Sequence, residues 1–516
     1  MKRRAGISLG TLLALILSSH VAWAQSAATS CEALGMMPLA GGTITSAHAV
    51  AGGQFAPPQG NGRGGRGAQV NPYADVPAFC RISAQLKPTA DSDIRIEVWL
   101  PNGGWNGKPQ VVGNGGFAGA IGYAALGTAV KDGYVAASTD TGHTGGDPAF
   151  MTGHPERVID FAHRAIHELT VAATTMTASY YGNGPRLSYF NGCSTGGRQA
   201  LTAAQRYPSD FDGIIAGAAA NNTVRMTTMQ LFSGLATQVD PASAISTQKQ
   251  SALHDAVLSA CDAKDGVKDG VLENPVACSF DPRQAACAAN DSDACLTEAQ
   301  VAAARKIYAG PVNPRTKISI FPGLARGSET GWNGLSGTEP FGYAQGIWRY
   351  ALLNDPDWDY KLLDLDAMVA DADKAAEKSG IQAINTNLKP FFDRGGKLVM
   401  YHGWNDPLIS PFNSVNYYTG VLRATKSNPK AEDSIRLFMM PGVNHCAGGP
   451  GTDTWDKVAV LDAWRSGGQA PTQAVASHLT DGKVDKTRPL CAYPKVAAYK
   501  GTGDTNDAAN FECRNP

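Results

Sequence analysis

The chain has 516 residues, with 44 basic and 45 acidic side chains, a formal net charge of −1 and 43% hydrophobic residues. That length supports a large core and more than one lobe, while the balanced charge, with no basic stripe, excludes the electrostatic footprint of a nucleic-acid binder. All ten cysteines lie after residue 30 and none forms a C-x-x-C pair, which argues for disulfides in an exported protein and against zinc or dithiol redox chemistry.

Met1-Lys2-Arg3-Arg4, the apolar run Ile7 to Leu17 and the small-x-small pattern Ala22-Trp23-Ala24 have the layout of a secretory signal peptide over 1–24. The run is shorter than the ~20 apolar residues a membrane span needs. The expectation is therefore cleavage after Ala24 and export, to the periplasm or the medium, with no membrane anchor. Gln54 to Gln69, rich in Gly, Pro and Arg, reads as a surface loop.

From Arg95 the chain alternates strand and helix. Arg95 to Leu100, Gln110 to Gly113 and Tyr134 to Ala137 are predicted strands. A helix with Ile159, Ala162, Ile166 and Leu169 on one face is predicted over Pro155 to Ala178. The strand Leu187 to Phe190, a helix over Arg198 to Arg206 and the strand Gly213 to Ala216 follow. The rhythm breaks near Ala220 and resumes with the strand Lys397 to Tyr401, a helix over Pro411 to Thr425, the strand Ile435 to Met439 and a helix over Trp455 to Trp464. Such alternation implies βαβ units and a mostly parallel sheet flanked by helices. The economical division is one α/β domain in two parts, 25–220 and 390–516, interrupted by an inserted lid over 221–389.

Gly192-Cys193-Ser194-Thr195-Gly196 fits G-x-S-x-G between a strand and a helix, the setting of a nucleophile elbow. A serine hydroxyl needs a base and a group that orients the base, and in the α/β-hydrolase fold these follow in the order Ser, Asp or Glu, His. Asp406 follows one predicted strand and His445 the next, so Ser194, Asp406 and His445 are the candidate triad. His402, directly after a strand, is the alternative base. His163 and His167, four apart on a helix, lack the neighbouring Glu of a metal-binding H-E-x-x-H and read as a packed or solvated face. Thr195 N–H is one oxyanion donor by position, and Gly115 and Gly116 in Gly113-Asn114-Gly115-Gly116-Phe117 are candidates for the second. Cys193 precedes the serine and Cys446 follows the histidine. If Ser194 and His445 meet, those two cysteines are near enough to bridge across a very long stretch of chain.

The Cys-Ser pair, the later Asp and the His-Cys pair together resemble the tannase and feruloyl esterase family. So do Pro77-Ala78-Phe79-Cys80-Arg81, Asp91 to Pro101, Gly192 to Gln199, Gly403-Trp404-Asn405-Asp406-Pro407 and Asn444-His445-Cys446. The resemblance covers nearly the whole mature chain. It implies an α/β-hydrolase fold, the triad Ser194, Asp406 and His445, and the Cys193–Cys446 bridge. By the same similarity the other bridges are Cys31–Cys80, Cys261–Cys278, Cys287–Cys295 and Cys491–Cys513. It also implies a calcium ion in the lid, held by the side chains of Asp262, Asp265 and Asp269 and the carbonyls of Val267 and Val271. Three carboxylates so close repel one another unless a cation lies between them, and calcium takes six to eight oxygens. The role expected of it is structural, and no organic cofactor is expected.

The implied activity is hydrolysis of small aromatic esters, with feruloyl (hydroxycinnamoyl) esters expected first. Galloyl esters, mono(2-hydroxyethyl) terephthalate and, in another class, peptides are the alternatives. In the lid, Phe232, Trp332, Phe341, Tyr343 and Trp348 are candidates to stack on an aromatic acid, and Arg349 is a candidate to pair with a substrate carboxylate.

Overall fold

The computed structural model of the chain describes residues 29–58, 71–428 and 430–516. The predicted signal peptide and most of the Gly/Arg-rich loop lie outside them.

Nine strands form one sheet: β1 (Gly42–Val50), β2 (Phe79–Leu86), β3 (Ile94–Pro101), β4 (Pro109–Val112), β5 (Val135–Thr139), β6 (Tyr189–Cys193), β7 (Gly213–Gly217), β8 (Lys397–Gly403) and β9 (Ile435–Met440). Their order is β1-β2-β3-β5-β4-β6-β7-β8-β9. The three pairings from β1 to β5 are antiparallel and the five from β5 to β9 are parallel. Every residue of β4, β5 and β7 is buried, as expected of strands covered on both faces.

The covering helices include α1 (Tyr123–Lys131), α2 (Pro155–Ile159), α3 (Ala165–Tyr181) and α4 (Thr195–Arg206). Strand alternation sends neighbouring residues to opposite faces. Phe190 and Leu398 pack with Leu169 and Met176 of α3 and Leu201 of α4. Tyr189 and Val399 pack with Leu126 of α1 and Leu461 of the helix Lys457–Arg465. This is an α/β-hydrolase fold, as the sequence predicts.

The single helix expected over Pro155 to Ala178 is interrupted by a π-turn at Asp160–Arg164. Arg198 of α4 is fully buried, and its guanidinium donates to the carbonyls of Ala162 (2.7 Å) and Phe161 (3.2 Å). A π-turn frees carbonyls from the i→i−4 ladder, and here they receive a buried cation. His163 and His167 are occupied separately: His163 Nδ1 lies 2.8 Å from Tyr207 Oη, and His167 Nδ1 lies 2.8 Å from Asp210 Oδ2.

Between β7 and β8 the chain is helical, starting with α5 (Thr223–Gln238). This insert has a core of its own around Leu253, Val257, Ile307 and Trp332. A second cluster joins Leu231, Trp348 and Trp358 to Phe117 and Phe161 of the sheet domain, so the insert packs directly on the domain it interrupts. Its last stretch, from Ala383 through Leu388, already belongs to the core beneath the sheet. After β9 and the helix Lys457–Arg465 come two small hairpins, β10 (Gln473–Thr480) with β11 (Lys483–Cys491) and β12 (Val496–Tyr499) with β13 (Phe511–Arg514). All ten cysteines are paired, in the five bridges that the resemblance implies.

Candidate active site

β6 runs straight into α4, and Ser194 is the hinge, with φ 63° and ψ −120°. A non-glycine residue held there stores ~1–3 kcal/mol of backbone strain and persists only where its surroundings impose it. Here they do. Ser194 N–H donates to Gly217 O, and Ser194 O accepts from Arg198 N–H and Ala220 N–H, each at 3.0 Å. A Cβ on Gly192 would lie 2.7 Å from the Gly196 backbone, so only glycine lets α4 start this close to β6.

The loop after β4 is docked on the first turns of α4. Gln199 Oε1 accepts from Asn114 N–H and Gln199 Nε2 donates to Asn114 Oδ1, both at 3.1 Å. Gly196 N–H donates to Asn114 O at 2.7 Å, and the Thr195 hydroxyl donates to Gly116 O at 2.7 Å. The three oxyanion candidates, Thr195, Gly115 and Gly116, are thereby brought together beside Ser194. On its far side the loop is tied again, since Gly119 N–H donates to Asp140 O (3.1 Å) and Gly119 O accepts from Gly145 N–H (2.9 Å).

Asp406 lies in the turn after β8 and His445 in the loop after β9. Asp406 is fully buried. Its Oδ1 accepts from Leu408 N–H (2.8 Å) and Ile409 N–H (2.9 Å), and its Oδ2 lies 2.6 Å from His445 Nδ1 and 3.0 Å from His402 Nε2. Burial alone would raise the Asp406 carboxyl, but the charge of His445 and the hydrogen bonds from both imidazoles hold it well below the usual carboxylate range. Burial likewise pulls His445 down, and the Asp406 carboxylate more than offsets it, so His445 titrates above its ordinary value. The disulfide Cys193–Cys446, with Cα atoms 6.0 Å apart, joins the residue before Ser194 to the residue after His445.

Ser194 and His445 open on one cavity of about 190 Å³, whose walls are Gly116, Ala220, Met226, Gln230, Phe341, Tyr343, Leu408 and Ile409. Of the six lid candidates, Phe341 and Tyr343 line it. The other four do not. Trp332 is wholly buried, with Nε1 donating to Ser328 Oγ (3.0 Å) and the ring against Tyr308. Trp348 is wholly buried and stacks on Trp358 at 5.4 Å. Arg349 Nε donates to Trp358 O (2.8 Å), which draws it away from any substrate carboxylate. Phe232 is half-buried on α5, whose Met226 and Gln230 take the places at the cavity. An insert large enough to carry a core must spend its biggest aromatic rings on that core, and composition does not separate those rings from the ones at a site. Met226, Gln230, Leu408 and Ile409 are missed by sequence reading. Only Leu408 and Ile409 carry a signal, their place just after Asp406-Pro407.

The acidic turn offers hard oxygens of the kind calcium prefers. Asp265, Val267, Asp269 and Val271 share a small cleft with Glu273 and Arg488, and Asp262 is buried behind it with its carboxylate accepting from Gly270 N–H (3.1 Å). Burial, with the neighbouring Asp269 and Asp262, pushes the Asp265 carboxyl up, which a cation would relieve. Asp269 Oδ2 is already met by Arg488 (2.7 Å) and Lys486 (3.3 Å). Among the described residues no group of three or more His, Cys, Asp or Glu side chains is gathered closely enough to hold a metal ion. The donors are of the kind calcium takes, but they are not gathered into a metal shell here, and Arg488 and Lys486 already meet the charge of Asp269. Among the described residues no helix is long and apolar enough to cross a membrane.

Comparison with known proteins agrees with this architecture. A family model described as tannase and feruloyl esterase matches residues 80–514. An uncharacterized esterase of Xanthomonas campestris pv. campestris is 36% identical, over 95% of this chain and 92% of its own. Feruloyl esterase B of Aspergillus niger is 31% identical, over 84% and 86%. The crystal structure of feruloyl esterase B from Aspergillus oryzae superposes with a TM-score of 0.86 at 29% identity, covering 94% of this chain and 99% of that one. This chain belongs to the tannase and feruloyl esterase family and is a carboxylic ester hydrolase.

Proposed function

We propose that the chain hydrolyses hydroxycinnamoyl esters, feruloyl esters first among them, through an acyl-enzyme on Ser194. The observation that carries the mechanism is the 2.6 Å contact of His445 Nδ1 with Asp406, together with the opening of Ser194 and His445 on one cavity. With Nδ1 committed to the carboxylate, Nε2 of His445 is the nitrogen free to take the Ser194 proton. Ser194 Oγ then bonds to the ester carbonyl carbon. The negative charge passes to the carbonyl oxygen, where Thr195 N–H and an N–H of Gly115 or Gly116 receive it. As the carbon–oxygen bond to the alcohol breaks, His445 returns the proton to the departing alcohol. Water, activated by the same imidazole, repeats the sequence to release the acid and restore Ser194.

The choice of acid rests on the cavity wall. Met226, Phe341, Leu408 and Ile409 suit an aromatic ring, and Gln230 and Tyr343 offer polar atoms to its substituents. Gln230 Nε2 donates to Leu408 O (2.9 Å), so its Oε1 is left as an acceptor for a phenolic O–H. Among the described residues no Lys or Arg lines the cavity, so the free carboxylate of mono(2-hydroxyethyl) terephthalate finds no counter-charge from them. Two polar side chains also serve one phenol better than the three hydroxyls of a galloyl ring. The relatives named feruloyl esterase B support the same choice.

Rates on methyl ferulate, methyl gallate and mono(2-hydroxyethyl) terephthalate test the substrate, with methyl ferulate expected to lead. A lead for either rival overturns it. Ser194→Ala is expected to abolish turnover and labelling by a fluorophosphonate without lowering Tm, and retained turnover would sink the mechanism. Export is part of the proposal, supported by the 1–24 pattern and the five disulfides. The mature N-terminus is then expected at Gln25. The last part is a structural calcium held by Asp262, Asp265 and Asp269 with the Val267 and Val271 carbonyls, where the ion would draw these oxygens together and tie the turn.

A further inference from the structure

His402 ends β8 with its ring wholly buried, and ester hydrolysis as proposed above makes no use of it. Its Nε2 faces two acceptors, Asp406 Oδ2 at 3.0 Å and the Ile409 carbonyl at 3.1 Å, so Nε2 carries a hydrogen and donates it. Its Nδ1 lies 2.8 Å from Ser414 Oγ, in the helix Phe412–Ala424, which anchors the ring from the opposite edge. The oxygen that His402 meets is the oxygen that orients His445.

We propose that His402 is a positioning residue for the reaction: a second imidazole that fixes the direction of Asp406 Oδ2 and draws off part of its charge, so that His445 is held in place without being held protonated. The inference rests on the Ser194 mechanism and adds to it.

The physical case is one of saturation. Asp406 receives two backbone N–H groups on Oδ1 and two imidazoles on Oδ2, and all four come from elements clamped to the sheet: the turn after β8, β8 itself and the loop after β9. A carboxylate with His445 as its one Oδ2 partner would have the direction of that oxygen set by a single hydrogen bond. It would also place its full charge against Nδ1–H, stabilising the imidazolium and lowering the share of His445 able to act as a base. A second donor on that oxygen lessens both effects. The ionisable side chains sharing this network are His402 from β8, Asp406 from its turn and His445 from the β9 loop. The remaining partners of the His402 ring are the Ser414 hydroxyl and the Ile409 carbonyl.

The test uses the whole enzyme with methyl ferulate and two substitutions. His402→Leu removes the donor while keeping apolar volume. It is expected to lower kcat by about tenfold or more, the scale on which loss of an outer partner that orients a working side chain acts at metal sites. KM should stay unchanged and the acid limb of kcat/KM should move to higher pH. His402→Gln restores an amide N–H and is expected to recover most of kcat and bring the limb back. A role confined to packing would give no such rescue, and no movement of the limb in either variant. Full kcat in His402→Leu, or equal losses in both variants with the limb unmoved, overturns the proposal. If His402→Leu fails to fold, Ser414→Ala, which frees Nδ1, replaces it: the limb should move the same way by a smaller amount, and an unmoved limb overturns the proposal. Fluorophosphonate labelling of Ser194 separates the two claims. Labelled variants with an unmoved limb defeat the role of His402 alone, whereas an unlabelled, active wild type defeats the serine mechanism beneath it.

Discussion

Asp406 Oδ2 and His445 Nδ1 lie 2.6 Å apart, on loops that leave the adjacent parallel strands β8 and β9. The buried carboxylate stays ionised and the half-buried imidazole titrates above the ordinary histidine value of 6.5. In the proposed mechanism only the neutral ring can take the serine proton, so kcat/KM is expected to rise with pH through a midpoint above 6.5 and then level off. Asp406→Asn should cut kcat far more than KM, and a pH–rate profile on methyl ferulate checks both.

Cys193–Cys446 closes a loop of 253 residues. Replacing both cysteines with serine is expected to cost about 2–5 kcal/mol of stability. It should also lower kcat below what the stability change accounts for, since the bridge holds the Ser194 and His445 loops at one spacing. Thermal melts and steady-state kinetics on the same double variant separate the two effects.

Gly192 and Gly113 both lie against Gly196, where an added Cβ would approach the backbone to 2.7 Å. Gly192→Ala is expected to push α4 off β6 and shift Ser194. A displacement of ~1 Å at a reacting atom costs about 100-fold in rate, so most turnover should be lost even in protein that still folds, as judged by circular dichroism.

Trp348 and Phe341 should behave differently although both are insert aromatics. Trp348→Ala empties a wholly buried site and is expected to cost about 3–5 kcal/mol in stability. Phe341→Ala, at the cavity wall, should raise KM for methyl ferulate with a smaller drop in Tm. Arg349→Ala should leave the ranking of the three esters unchanged.

Chelation tests the acidic turn. If calcium ties Asp262, Asp265 and Asp269, EDTA should lower Tm, and adding calcium back should restore it. Elemental analysis of the purified protein should find the metal near one equivalent, and an unmoved Tm with no bound calcium discards the site.

Strand–helix alternation is enough to read seven strands of the sheet to within three residues at either end, and the order of Ser194, Asp406 and His445 needs only the loops between them. β1 and the hairpin β10–β11 escape because their exposed positions dilute any apolar run; β12 and β13, four residues each, are too short to show alternation, and β2 is missed although none of its residues is exposed. The break in the helix at Asp160 leaves no local trace for another reason: Arg198, the cation that its carbonyls receive, is 34 residues or more further along the chain. The cavity was half legible. Residues close in sequence to the triad can be guessed, but Met226 and Gln230 reach it only because α5 packs across the mouth, a tertiary fact with no local trace.

The Cys193–Cys446 bridge also changes what a proteolytic cut can do. The helical insert leaves the sheet after β7 and returns before β8, wholly within the span that the bridge closes. A single nick in the insert therefore leaves one covalent molecule, its two fragments still fastened beside Ser194 and His445. Such an enzyme would run intact on a non-reducing gel, separate only under reductant, and keep Ser194 and His445 in register while the surface of its insert is worn away.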